Sequence, residues 1–162
     1  MTFPVRPAVP TDAIAISRLV QAGFLQHVAP DWEPSACEDF LRETTADKLA
    51  VAMAGATFTA VHVSVEEVTG VILMPRPTLV QLFFVAPDRL HHGIGRALWE
   101  AARTHLEEQH AEVKTVELNA TPGALPAYRA LGFFPISAPF RRRGAVATRM
   151  ACWLPARGLE RA

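Results

Sequence analysis

Ile16, Leu19, Val20 and Phe24 recur at i, i+3, i+4 and i+8, which places them on one face of a helix. Pro10-Thr11-Asp12 supplies its start, because Thr and Asp side chains accept from the free N–H groups there. Asp31-Trp32-Glu33-Pro34 interrupts the pattern, and a second helix over 35–43 buries Cys37, Phe40 and Leu41. The stretch Leu49 to Ala54 also reads as a buried strand, but its alanine content, the Thr45 cap and the Gly55 stop favour a short helix over 45–55. From Ala56 the period changes. Residues 57–64 and 68–74 are β-branched runs joined by a turn at Val65-Glu66-Glu67. After a break at Pro75-Arg76-Pro77, residues 79–85 are almost wholly apolar, as expected of a central strand covered on both faces.

A loop over 86–92 leads to Gly93-Ile94-Gly95 and a helix reaching about His110. Ile94, Leu98, Ala102 and Leu106 form its apolar face, while Arg96, Glu100, Arg103 and Glu107 can pair on the other. A strand over 113–119 follows, then a helix over 124–131 with Pro126 in its first turn and Gly132 at its end. Strands over 133–140 and 145–154 close the chain, and residues 3–7 open it in extended form. Strand runs around a strand–helix–strand unit predict a mixed α/β sheet. No repeat or linker-like stretch divides the sequence, so it reads as one domain over 1–162.

Composition narrows the partners. Hydrophobic residues make up 50% and charged residues 20% of 162, as in a folded globular chain. Lys+Arg and Asp+Glu both number 16, so there is no basic excess of the kind that nucleic-acid binding leaves. The one dense basic run, Arg141-Arg142-Arg143, reads as a solvated turn. No apolar run reaches the roughly 20 residues of a membrane span, and the first residues lack a signal-peptide core. Cys37 and Cys152 have no metal spacing. The expectation is a reduced, cytoplasmic chain with no nucleic-acid or membrane partner.

The chemistry concentrates at 85–98. A strand ends, a loop turns, and Gly93 and Gly95 open a helix whose first N–H groups have no internal partner and whose dipole is positive there. Glycine lets backbone approach a ligand closely, and a phosphate or pyrophosphate is the expected guest. A glycine pair alone equally suits a packing turn. The dinucleotide fingerprint needs a third glycine where Leu98 stands, and the nucleotide P-loop needs a Gly-Lys-Ser/Thr that is absent.

Val85, Pro87, Gly93, Gly95 and Leu98 together resemble motif A of the GNAT superfamily, the Gcn5-related N-acetyltransferases, in which Val-x-Pro precedes Arg/Gln-x-x-Gly-x-Gly/Ala and a helix. Leu90 stands where that family usually has Arg or Gln. Downstream, Val116 to Ala120 and then Pro126-Ala127-Tyr128-Arg129-Ala130-Leu131-Gly132-Phe133 resemble its motif B, an Asn-ended strand before a helix with Ala-x-Tyr and Leu-Gly-Phe. Val5-Arg6-Pro7-Ala8 resembles the family's opening.

The resemblance implies a central mixed, mostly antiparallel sheet of about seven strands flanked by helices. It implies transfer of an acetyl group from acetyl-CoA, as co-substrate, to a primary amine of a small molecule or peptide, with no metal. Homodimers are common in the family. Backbone groups of Phe83, Phe84 and Val85 would pair with pantetheine like an added strand, and the Val85 N–H would stabilise the oxyanion. The amides of His91, His92, Gly93, Ile94, Gly95 and Arg96 would hold the pyrophosphate, and Asn119 matches a cofactor-contacting position. Tyr128 falls on the family's general acid, since a phenol of ordinary pKa near 10 can protonate a departing thiolate.

Glu117 alternates onto the strand face of Asn119 and is the candidate base, against a reading as a surface carboxylate. His62 is a further candidate base, against a hydrogen-bonded structural role. Gln81 shares a face with Val85 but cannot act as a base. His91-His92 makes a poor chelate without further ligands. The implied acceptor site includes Phe24, His27, Asp31, Trp32 and Glu33, with 139–143 opposite. The rival readings are an acyl-CoA-binding module without catalysis, an enzyme for another phosphate-bearing cofactor, and an interaction domain without a ligand.

Overall fold

The computed structural model describes residues 4–155. Strand β1 (Val5–Pro7) leads through a short 3-10 turn to α1 (Ala13–His27), α2 (Pro34–Glu43) and α3 (Ala46–Gly55). Strands β2 (Phe58–Ser64), β3 (Glu67–Met74) and β4 (Leu82–Val85) precede α4 (Ile94–Gln109) and β5 (Thr115–Ala120). Helix α5 (Leu125–Ala130) and strands β6 (Phe134–Pro135), β7 (Phe140–Arg142) and β8 (Ala145–Trp153) follow. No helix among the described residues is long and apolar enough to cross a membrane.

The strands form two sheets. One is antiparallel in the order β1-β2-β3-β4; the other has β5-β8-β6, with β7 also paired to β8. Helices α1 and α3 cover one face of the first sheet, where Ile16, Val20 and Leu49 meet Val61, Val71 and Leu73. Helix α4 covers the opposite face and spans both sheets. Its Ile94, Leu98 and Ala102 meet Ile72 and Met74 on one side and Val116, Leu118 and Met150 on the other. The face of the second sheet away from α4 carries Glu117, Asn119, Arg149 and Trp153, all at least partly exposed.

The expected mixed α/β architecture holds, with several revisions. Among the described residues there are eight strands in two sheets rather than about seven in one. Residues 133–140 are not a single strand: Pro135 has no N–H to give, and Ser137 Oγ takes the Arg149 N–H (3.0 Å) in place of a backbone carbonyl. Of residues 79–85 only 82–85 run along β3, and Phe83 to Val85 are half-buried rather than enclosed. Helix α2 fully buries only Ala36, leaving Cys37, Phe40 and Leu41 half-buried. The short helix over 46–55 forms as favoured, with Thr45 Oγ1 accepting from the Lys48 N–H at 3.4 Å. Arg141 and Arg142 belong to β7. Arg143 and Gly144 make the two-residue turn to β8, both with positive φ (50° and 85°). Both cysteines are free.

Two contacts set the frame. The Arg6 guanidinium holds the Asp12 carboxylate through two bonds (2.8 and 2.9 Å), and Asp12 also accepts the Val9 N–H at 2.8 Å. Asp12 is buried, and the Arg6 hydrogen bond holds its carboxyl below the usual pKa. The second contact is Gly70 on β3. A Cβ there would lie 2.8 Å from Ile94 Cγ2 and 2.9 Å from Leu98 Cδ1, so the bare Cα lets α4 lie directly on the sheet.

Two outcomes are expected in urea unfolding. Gly70→Ala overpacks the α4 contact and costs about 1–3 kcal/mol. Asp12→Asn costs about 1–2 kcal/mol at neutral pH, discounted because Arg6 is partly exposed. A depressed carboxyl pKa stabilises the fold above the ordinary carboxylate range and loses that contribution as pH falls through the folded-state pKa. The gap between wild type and Asp12→Asn should therefore close below about pH 4.

Candidate active site

The site begins where one strand changes partners. Beyond the turn that returns the Leu79 N–H to the Arg76 carbonyl (3.2 Å), the chain joins β5 in parallel. The Glu117 N–H donates to Thr78 O at 2.8 Å, and the Val80 N–H donates to Glu117 O at 2.9 Å. The next residue breaks away, since the Gln81 N–H donates to Leu73 O at 2.9 Å, although the register sets Leu82 opposite Leu73. Two residues thus oppose one, which is a β-bulge, and bulges bend the strand that carries them. From here β4 follows β3, and among the described residues no further bond joins it to β5.

Ladder alternation shows what the resulting wedge contains. The Ala86 N–H donates to Thr69 O (2.8 Å), so in the same phase Phe84 is bonded to β3, while Phe83 and Val85 turn their backbone groups toward the wedge. This corrects the expectation for Phe84, whose backbone already has a partner. On the other wall, the Leu154 N–H donates to Lys114 O (2.7 Å), and the same reasoning turns Glu117 and Asn119 outward from β8. Glu117 uses its groups at the apex; those of Asn119 face the wedge. Phe83, Val85 and Asn119 therefore leave free strand edges, which accept an extended ligand.

The amino end of α4 opens onto the same wedge. Gly93 is its N-cap in the left-handed region (φ 81°). The Ala97 N–H donates to Gly93 O at 3.0 Å, leaving the amides of Ile94, Gly95 and Arg96 ahead of that bond without a helical partner. A Cβ on Gly95 would stand 3.8 Å from both the Phe83 ring and a Val85 methyl, at the wedge wall. His91 has positive φ (66°), and His91, His92 and Leu90 are exposed. The Arg96 guanidinium donates to Ala130 O (2.9 Å), tying α4 to the end of α5. Beneath this loop His62 is buried, with Nδ1 2.6 Å from Thr69 Oγ1. Burial, then the Arg89 charge, lowers its pKa. It lies in the core on β2 as a hydrogen-bonded histidine.

Tyr128 packs on the α4 side of the wedge. Its ring lies 5.8 Å from that of Phe83 and 5.9 Å from that of Phe133. It is half-buried by area and packs against these two rings, and burial pushes its pKa up to about 12. Glu117 and Asn119 look out on the opposite face, because the alternate residues Val116, Leu118 and Ala120 are buried against α4. The Glu117 carboxylate lies 3.9 Å from the Arg149 guanidinium, a partner that sequence reading did not supply. Tyr128 and Glu117 thus flank the wedge from its two sides.

An aromatic bridge spans the open end on the Glu117 face. Phe40 stacks on Phe24 (4.0 Å) and approaches Phe84 of β4 (6.2 Å), while Trp32 meets Phe24 and Phe40 edge-on. Trp32 Nε1 donates to Val146 O of β8 (3.2 Å), and the Glu33 N–H donates to Gly144 O (2.9 Å). Of the residues expected at an acceptor site, Phe24 is buried in this bridge. Glu33 faces Arg141 at 4.0 Å, and Asp31 and His27 are exposed. Phe40 was placed as helix core; its role in the bridge depends on Phe84, far off in sequence. Among the described residues no cluster of three or more His, Cys, Asp or Glu could hold a metal.

The two-sheet α/β fold is parted at one pair of strands, with a helix amino end at the opening. The profile of the acetyltransferase (GNAT) domain matches residues 28–154, and the chain belongs to that family. A GCN5-related N-acetyltransferase from Rhodopseudomonas palustris superposes with a TM-score of 0.81 at 19% identity, over 95% of this chain and 97% of its own. The PaiA N-acetyltransferase of Thermoplasma acidophilum, solved in complex with coenzyme A, gives 0.77 at 13% identity over 95% and 100%. An aminoglycoside 6'-N-acetyltransferase complexed with coenzyme A gives 0.67 at 13% over 93% and 97%. At these identities the likeness establishes the fold. No curated protein sequence matches the chain.

Tyr128 is the sole tyrosine of the chain, so the phenolate absorbance reports it alone. Titration of the folded protein should show almost no phenolate at pH 10 and a midpoint at about 12. An ordinary midpoint near 10 would place the hydroxyl in water.

Proposed function

We propose that the protein transfers an acetyl group from acetyl-CoA to a primary amine by direct attack through a tetrahedral intermediate. The observation that carries this reading is the wedge itself. Free backbone edges of Phe83, Val85 and Asn119 lead to a helix amino end with unpartnered amides, and the two suit one ligand with an extended amide-bearing arm and a pyrophosphate. The coenzyme A complexes reported for the Thermoplasma and aminoglycoside enzymes, which share the fold, support that choice of ligand.

The residues present fit such a ligand. The amides of His91 to Arg96 meet the pyrophosphate at the positive end of α4, where Gly95 stands beside Val85 and Phe83. Phe83, Val85 and Asn119 bond the pantetheine amides as strand neighbours. The Val85 N–H points at the thioester oxygen, where negative charge develops. The acceptor nitrogen adds to the thioester carbonyl, forming the new C–N bond, and the C–S bond breaks when the tetrahedral intermediate collapses. Glu117, on the acceptor face, takes the proton that the ammonium loses, directly or through water. Tyr128, on the other face, gives its proton to the departing sulfur. A phenol of raised pKa stays protonated across the working range and acts as an acid there.

Leu90, exposed where an Arg or Gln side chain is usual in motif A, leaves the phosphate grip to the backbone and to His91 and His92. That feature favours a second reading, an acyl-CoA-binding module without turnover, and one experiment separates the two. Tyr128→Phe should lower kcat on the order of 10-fold or more, the usual range for losing an acid, while calorimetry shows acetyl-CoA binding within about twofold of wild type. Binding without turnover by the wild type across an amine panel would establish the module instead. Absence of binding would remove both readings.

A further inference from the structure

We infer that the acceptor is a small zwitterion, an α-amino acid with an apolar or aromatic side chain, whose carboxylate is held by Arg149. This rests on the acetyltransferase reading above and adds the chemistry of the second substrate. The acceptor face of the wedge carries opposite charges side by side. Arg149 stands directly across from Asn119 in the β5–β8 register, and its guanidinium lies 3.9 Å from the Glu117 carboxylate. Asn119 and Arg149 are a non-hydrogen-bonded pair, the closer of the two cross-strand spacings. The ladder phase that makes them so is the one that turns the Asn119 backbone toward the wedge.

The pair does little for the fold. The two side chains are 49% and 42% exposed, and exposed pairs of this kind contribute about 0–1 kcal/mol. At 3.9 Å the contact is longer than a charge-assisted hydrogen bond, so both groups keep donors and acceptors for a ligand. Adjacent carboxylate and guanidinium complement the adjacent ammonium and carboxylate of an amino acid. Glu117 draws the nucleophilic nitrogen toward the apex and Arg149 fixes the carboxylate beside it.

The remaining charges argue against a polycation. Arg141 and Arg142 of β7 and Arg143 of the turn stand on the neighbouring hairpin, with Glu33 beside Arg141 and Asp31 exposed on the α1–α2 connection. Arginines thus outnumber carboxylates around the entrance. A polyamine or aminosugar would place its second ammonium among them. The half-buried rings of Trp32, Phe40 and Phe84 supply an apolar wall on the same face for a side chain.

The test follows thiol release from acetyl-CoA with L-phenylalanine, L-leucine, their carboxamides, and spermidine. The free amino acids should exceed their amides in kcat/KM by about 10-fold or more, and spermidine should be turned over least. Arg149→Gln should raise KM for the free amino acid by about 10-fold or more while leaving KM for the amide within about twofold. A fold defect would instead weaken both alike. Preference for the amide or for spermidine, or an equal loss on both substrates in Arg149→Gln, overturns the inference. Turnover of none of the five with acetyl-CoA binding intact by calorimetry overturns the acceptor class alone. Loss of that binding in the wild type overturns the acetyltransferase reading as well.

Discussion

The wedge depends on a competition for backbone partners at one place in the sheet. Thr78 and Val80 bond to Glu117 of β5, and the next N–H, from Gln81, goes to Leu73 of β3. Had Gln81 continued along β5, the two sheets would have joined into one and the facing edges of β4 and β5 would have been used. Instead the extra residue at the bulge commits β4 to β3. It leaves Phe83, Val85 and Asn119 with outward groups that only a ligand or water can satisfy. An unpaired buried backbone group costs roughly 1–3 kcal/mol, so an edge of this kind persists where it stays wet or is filled. The same departure explains why Phe83 to Val85 are half-buried despite their apolar sequence.

Other elements keep the wedge from collapsing or opening further. Helix α4 lies beneath both sheets, and its close seat on Gly70 sets where its amino end points. Arg96 binds the end of α5, which carries Tyr128 against Phe83. On the other face, the rings of Phe84, Phe40, Phe24 and Trp32 run from β4 to the β7–β8 hairpin, where Trp32 is anchored on Val146. The wedge is thus tied at its apex by backbone bonds and across its mouth by aromatic contact.

The two faces of the wedge differ electrically. On the α4 side the phenol sits among rings that penalise its anion, so it keeps its proton. On the other side Glu117 and Arg149 are wet and charged. Water and ions therefore reach the Glu117 face, while the face that holds Tyr128 stays apolar.

Much was legible before any coordinates. Periodicity placed α1, α4, β2 and β3, since an apolar face must be buried whatever covers it. Gly93, Gly95 and Leu98 marked the helix amino end, since a left-handed N-cap needs a residue that adopts it freely. Motif resemblance singled out Val85 and Asn119, and the fold sets them on the two walls of the wedge. The rest was decided only in three dimensions. Residues 79–85 read as one strand because apolar composition does not show which neighbour each N–H will choose. Phe84 and Phe83 look equivalent in sequence, and only ladder phase separates the bonded backbone from the free one. Glu117 and Arg149, or Phe40 and Phe84, are far apart along the chain and meet because two sheets and three helices bring them to one face. Sequence determined the local conformations and the chemical groups; tertiary packing decided which backbone edges stayed open and which charges came to stand beside them.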